Sequence, residues 1–170
     1  LNRLIVEKAN EGYNKIKLLN GVYRVSNVAV HKQMGSVNVT TDNTTLDLNG
    51  STIKLNGFTG DSSLIMSISH AKNSHIINGT VEGDYYTHDY VNSPNSSEWN
   101  QGFGISGGCK YCSFDNVVLK NTSGYGFVNG ISNSIDNKQG YTKGKIVGCG
   151  AFTLGGIDRK TGLPIESDIR

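Results

Sequence analysis

The sequence predicts an all-β fold, a right-handed parallel β-helix with a short N-terminal capping helix. Three observations carry this expectation. Glycine is abundant, 22 residues against 2 prolines, and β-branched residues alternate between the glycines, which reads as many short strands joined by tight turns. Similar apolar bursts recur in the same order along the chain, the mark of stacked units that bury an apolar side only against each other. Helical spacing is convincing only at the start of the chain.

In that opening stretch Leu1, Leu4, Ile5 and Ala9 fall on one helical face and Gly12 is a natural stop. Residues 1–12 are therefore expected to cap an open end of the core. Next, "KIKLLNGVYRVSNVAV" gives two strand bursts around an Asn-Gly pair. "DNTTLDLNGSTIKL", Asp42 to Leu55, is then echoed by "KNSHIINGTVEGD", Lys72 to Asp84, with Asn43 matching Asn73 and Asn49-Gly50 matching Asn78-Gly79. Weaker echoes run from Cys112 to Phe127 and from Tyr141 to Phe152.

Residues 13–152 are read as the stacked body, with Ile53, Ile76, Val81, Phe114, Val117 and Ile146 pointing inward. The Asn-Gly pairs also suit hairpins, so an antiparallel sandwich is the competing architecture. The ordered recurrence favours parallel stacking. Asn43, Asn73 and Asn116 are expected at corners, in left-handed backbone, bonding to the neighbouring unit. After Phe152 the alternation ends, so residues 153–170 read as an exit linker toward further protein.

Sixteen basic residues against fourteen acidic ones give a formal charge of +2, without the basic stripe that nucleic acid would demand. No apolar run is long enough for a membrane-crossing helix. Cys109 and Cys112 form a C-x-x-C pair, but the second pair that a zinc site needs is missing. With Cys149 they read as small core residues.

The rhythm breaks at "GDYYTHDYVNSPNSSEWNQG", Gly83 to Gly102, an inserted loop. No Lys or Arg occurs from Ser74 to Cys109, although Glu82, Asp84, Asp89 and Glu98 lie there. Such a cluster must be solvated, hydrogen-bonded, metal-bound or partly protonated. Solvation on a loop is the plain reading for any one of these carboxylates. Their company adds more: Tyr85, Tyr86, Tyr90 and Trp99 supply flat faces that suit stacking on sugar rings, although Trp99 also suits a pin holding the loop down. For glycoside hydrolysis two carboxylates suffice. Glu98 and Asp89 are the candidate pair, Asp84 is third, and His88 is an acid or an orienting partner. No metal ligand set is assigned. A phosphodiester substrate would require a divalent cation held by these groups, whereas a neutral glycan would not.

With the helix, the "IKLLNGVYRV" segment and the "TLDLNGSTIKL" unit in place, the chain resembles the pectate-lyase-like β-helices of phage tail proteins (the pectin lyase fold). Gly83-Asp84, His88-Asp89-Tyr90, Glu98-Trp99 and Gly102 look most like motifs of tailspike and preneck-appendage proteins of phages infecting Gram-positive bacteria. The resemblance spans Leu1 to Phe152. It implies a virion location, a homotrimeric spike alongside other tail proteins, and adsorption to a bacterial surface polysaccharide or teichoic acid with its cleavage as a depolymerase. Relatives often carry Arg near the Gly-Asp and His before the Glu-Trp, where this chain has Tyr85-Tyr86 and Ser96-Ser97. A purely structural or adhesive virion module and a secreted polysaccharide lyase are the alternative functions.

Overall fold

A computed structural model describes residues 1–26, 35–56, 63–89, 91, 100–106, 109–124, 126–129, 140–142, 144–147 and 166–169. Helix α1 (Asn2–Asn10) opens the chain. Its Ile5 is fully buried, while Leu1 and Leu4 remain more than two-fifths exposed, so the apolar face is narrower than the spacing suggests. Asn2 fixes the helix start by donating to Ser36 O at 3.1 Å and accepting from Asn38 N at 3.0 Å.

The strands β1 (Lys15–Lys17), β2 (Val22–Val25), β4 (Thr45–Asp47), β5 (Thr52–Leu55), β7 (His75–Glu82) and β9 (Ser113–Lys120) belong to one larger sheet. The strands β11 (Gly140–Thr142), β12 (Gly144–Val147) and β13 (Glu166–Ile169) extend it. A smaller sheet comprises β3 (Val37–Val39), β6 (Ser63–Ser69), β8 (Asn100–Ser106) and β10 (Phe127–Asn129). Among the described residues every strand pair is parallel except β12 with β13.

Register follows the sequence repeat. Leu46 lies beside Ile76 and Ile76 beside Phe114, while Ile53 lies beside Val81 and Val81 beside Leu119. These six side chains are fully buried, as is Val117. Ile146 is in β12, but its side chain falls outside the described residues. Phe103 of the smaller sheet stacks on Phe114 of the larger one, ring centroids 4.1 Å apart, so the two sheets share one core. Burial of such aromatic and branched side chains is worth about 1.5–3 kcal/mol each and is the main force holding the sheets together.

The expected right-handed parallel β-helix is corrected. The described strands form a parallel arrangement of multiple sheets, not a clear right-handed β-helix: the larger sheet branches at β7, which pairs with β4, β5 and β9, and β13 returns antiparallel onto β12. The physical reason is that a sequence repeat specifies which strands lie side by side. It does not specify a common path by which every unit returns to the same set of faces.

The Asn-Gly pairs are not hairpins. Asn78-Gly79 sits inside β7, and Asn49-Gly50 joins β4 to β5 in line with it. Asn49, Asn78 and Asn116 all take left-handed backbone, φ 53°, 59° and 53°, which bends the larger sheet. A side chain at Gly79 would put its Cβ 2.5 Å from Leu48 Cβ, so only glycine lets the bend close onto the core. Asn43 and Asn73 are also left-handed, and Asn73 Nδ2 donates to Asn43 Oδ1 at 3.0 Å. Asn116 donates instead to Asn78 Oδ1 at 3.0 Å, so it belongs to the second corner.

Candidate functional site

The inserted loop departs from the end of β7, where Glu82 bonds Lys54 at 2.8 Å and Lys120 at 3.2 Å. Burial raises the Glu82 pKa, but hydrogen bonds and charge from the two lysines outweigh it and leave the carboxyl below its ordinary range. The chain then runs past the end of β9: Gly83 N donates to Lys120 O at 3.0 Å and Tyr85 N to Asn121 O at 2.9 Å. A Cβ at Gly83 would lie 2.6 Å from Asn121 O and from Thr122 Cα. Glycine is thus what permits this close approach of two backbones.

Asp84 starts a turn by accepting from Thr87 N at 2.7 Å. Its carboxylate is withdrawn from solvent. Oδ2 lies 2.8 Å from His88 Nδ1, and Oδ1 accepts from Ser123 Oγ at 2.8 Å. The Asp84 and His88 side chains are 1% and 0% exposed. Nδ1 therefore carries the proton that bonds the carboxylate, which fixes the ring's orientation. Ser123 meets the carboxylate and not this nitrogen, so the three groups are not ordered as a serine nucleophile activated by histidine.

At the surface beside this buried chain, Tyr85 and Tyr86 meet edge to face, centroids 5.1 Å apart at 87°. Tyr86 is 68% exposed. Asp89 is half-buried and its Oδ1 accepts from Val91 N at 3.1 Å, a local turn contact. The structure thus brings together Asp84, Tyr85, Tyr86, His88 and Asp89. Tyr90, Glu98 and Trp99 lie outside the described residues.

Three neighbours were not anticipated from the sequence. Ser123 holds Asp84, and Thr122, also buried, bonds Gly124 O at 3.0 Å. Asn100 is 1% exposed, and neither amide atom has a hydrogen-bond partner among the described residues; a Cβ at Gly124 would be 2.5 Å from its backbone oxygen. The available signal was "NTSG", small polar residues directly after a strand.

The chemistry of the pair bears on a divalent cation. Both Asp84 oxygens are engaged, and His88 turns its Nδ1 toward Asp84, so these two do not present a joint ligand set. Among the described residues no group of three or more His, Cys, Asp and Glu side chains is placed to hold a metal.

Cys109 and Cys112 are fully buried. Cys109 Sγ lies 2.9 Å from Ser106 O, and Cys112 Sγ lies 3.3 Å from Ala71 O. The Cys112 thiol beside it draws the Cys109 pKa down, while the same contact and burial push Cys112 up. Cys149 lies outside the described residues.

No family model, curated protein or solved structure matches this chain.

Proposed function

We propose that this chain is a module of a phage tail or appendage that binds a bacterial cell-surface glycan or teichoic acid during adsorption, and cleaves it. The observation that carries the binding reading is Tyr86. It is exposed on a turn that the buried Ser123–Asp84–His88 chain locks in place, with Tyr85 fixing its ring edge-on. A rigid, exposed aromatic with a polar edge is the side chain that a sugar ring stacks against at low entropic cost.

Within this reading Asp84 and His88 are positioning residues. Their side chains are covered and mutually bonded, so they hold the turn rather than touch substrate. Cleavage is assigned to Asp89 with Glu98, one protonating the leaving oxygen and the other activating water or attacking carbon. The spike works as a homotrimer among other virion tail proteins, outside the host cell.

The burial of Asp84 and His88 equally favours a second reading, a non-catalytic adhesive module whose loop is a binding epitope. Incubation of the full-length protein with purified cell wall polymer decides between them. Shorter products support cleavage, and binding without shortening supports adhesion. Absence of both overturns the proposal.

A further inference from the structure

The outer face of the larger sheet carries a second polar feature, lined by residues outside the loop. The left-handed bend at Asn49, Asn78 and Asn116 makes that face concave, and a groove of about 460 Å³ follows it. It crosses β1, β4, β7 and β9, which at ~4.8 Å between strands gives a track of about 14 Å. Its lining includes Lys17, Asp47, Thr80 and Asn116.

Asp47 forms the wall and is already saturated. Oδ1 accepts from Asn49 N at 3.0 Å and Asn78 Nδ2 at 3.1 Å, and Oδ2 pairs with Lys15 at 3.3 Å. Three other lining groups have no partner among the described residues: the Lys17 ammonium, the Thr80 hydroxyl and the Asn116 amide oxygen. A cation, a hydroxyl and an amide oxygen are what a charged, hydroxyl-rich chain would need.

Charge on the same face has a sign. Lys15 is matched by Asp47, whereas Lys54 and Lys120 share Glu82. Lys17 and Arg24 are exposed and have no ion pair among the described residues. Asp115 offsets part of this surplus and is itself bonded by Ser113 Oγ at 2.6 Å. The face is thus mildly cationic, whereas the sequence from Ser74 to Cys109, which includes the loop, carries no Lys or Arg. Clefts lined by one sign of charge concentrate ligands of the other.

We infer that this groove binds an anionic glycan chain, Lys17 meeting its phosphate or carboxylate while Thr80 and Asn116 meet its hydroxyls. The inference deepens the glycan-binding reading and rests on it. It gives an anionic polymer a place to lie that the acidic loop does not offer.

The test is affinity electrophoresis of the full-length protein in gels containing purified wall teichoic acid, polygalacturonate or neutral dextran. The expected result is retardation by a polyanion, not by dextran, that fades as salt screens exposed charge. Teichoic acid alone assigns a phosphodiester, polygalacturonate alone a carboxylate, and both assign charge without further selection. Lys17→Glu reverses an exposed, unpaired charge and should weaken retardation about five- to tenfold, with thermal unfolding unchanged. Thr80→Val, nearly the same shape without the hydroxyl's bonding, should weaken it too. Equal retardation by dextran, none by either polyanion, or wild-type retardation of Lys17→Glu overturns the inference. If Tyr86→Ala abolishes binding while Lys17→Glu does not, the loop reading survives and the groove reading falls. The reverse result retains the groove and removes the loop.

Discussion

His88 Nδ1 lies 2.8 Å from Asp84 Oδ2, and neither side chain reaches solvent. Breaking a buried, hydrogen-bonded pair leaves the surviving partner uncompensated, at a cost of about 3–5 kcal/mol. Asp84→Ala and His88→Ala should each lower the stability of the protein by about that amount, read from urea unfolding midpoints at constant slope. The double variant should cost less than the two singles added, because each single already removes the shared contact. Fully additive losses, or unchanged midpoints, would contradict the role of this pair as the lock of the loop turn.

Gly83 makes a separate contribution to the same turn. Its Cβ-less backbone passes Asn121 O and Thr122 Cα at a distance no side chain tolerates. Gly83→Ala forces these backbones apart and should cost about 1–3 kcal/mol, the usual scale of overpacking. The same urea experiment measures it, and a neutral result would show that the two segments separate freely.

The corner formed by Asn43 and Asn73 continues into Tyr111, where φ is 57° and the ring is about half exposed. Asn73 N donates to Lys110 O at 2.8 Å, as Asn43 N does to Lys72 O, so Tyr111 occupies the third rung of an asparagine ladder. Left-handed backbone costs most L-residues about 1–2 kcal/mol, but asparagine adopts it with little strain. Tyr111→Asn should therefore stabilise the protein by about 0.5–1 kcal/mol, seen as a higher melting temperature. A lower one would mean that the tyrosine ring contributes more than the strain removes.

Asp47 links the fold to pH. Burial pushes its carboxyl up, but hydrogen bonds from Asn49 N and Asn78, together with Lys15, outweigh this and hold the folded pKa below the ordinary value. A folded pKa below the unfolded one means stability that is present above the unfolded pKa, about 4, and lost as pH falls through the folded value. Asp47→Asn should consequently be less stable than the wild type at pH 7, with the gap narrowing below about pH 4. Urea midpoints from pH 7 to pH 2 follow this, and a gap constant with pH would rule the carboxylate out as its source.

What the sequence made legible was the side-by-side order of the units. Leu46, Ile76 and Phe114 could be aligned because neighbouring Asn residues mark equivalent corners, and parallel register then follows. The sheet architecture was not legible in the same way: the antiparallel return of β13 onto β12 depends on a contact between segments whose sequences do not repeat. In the loop, the run of carboxylates and aromatics was visible, but not which of them are covered. Burial of Asp84 depends on Ser123, thirty-nine residues away, and no local pattern announces that contact.

The loop's exposed and covered residues should separate binding from turnover. Tyr86→Ala removes the exposed stacking face without touching the Asp84–His88 bond. It should weaken polymer binding and leave the unfolding midpoint close to that of the wild type. Asp89→Asn and Glu98→Gln keep size and hydrogen-bonding shape but remove charge and proton-transfer capacity. Turnover of wall polymer should then fall about a hundredfold or more, the scale of acid–base catalysis, with binding retained. For Asp89, Asp89→Asn also keeps an acceptor for Val91 N, so a stability loss is not expected to mask the kinetic one. If both amide variants cleave at the wild-type rate while Tyr86→Ala abolishes binding, the loop is an adhesive surface. In that case its covered Asp84–His88 pair serves only to hold Tyr86 where a glycan meets it.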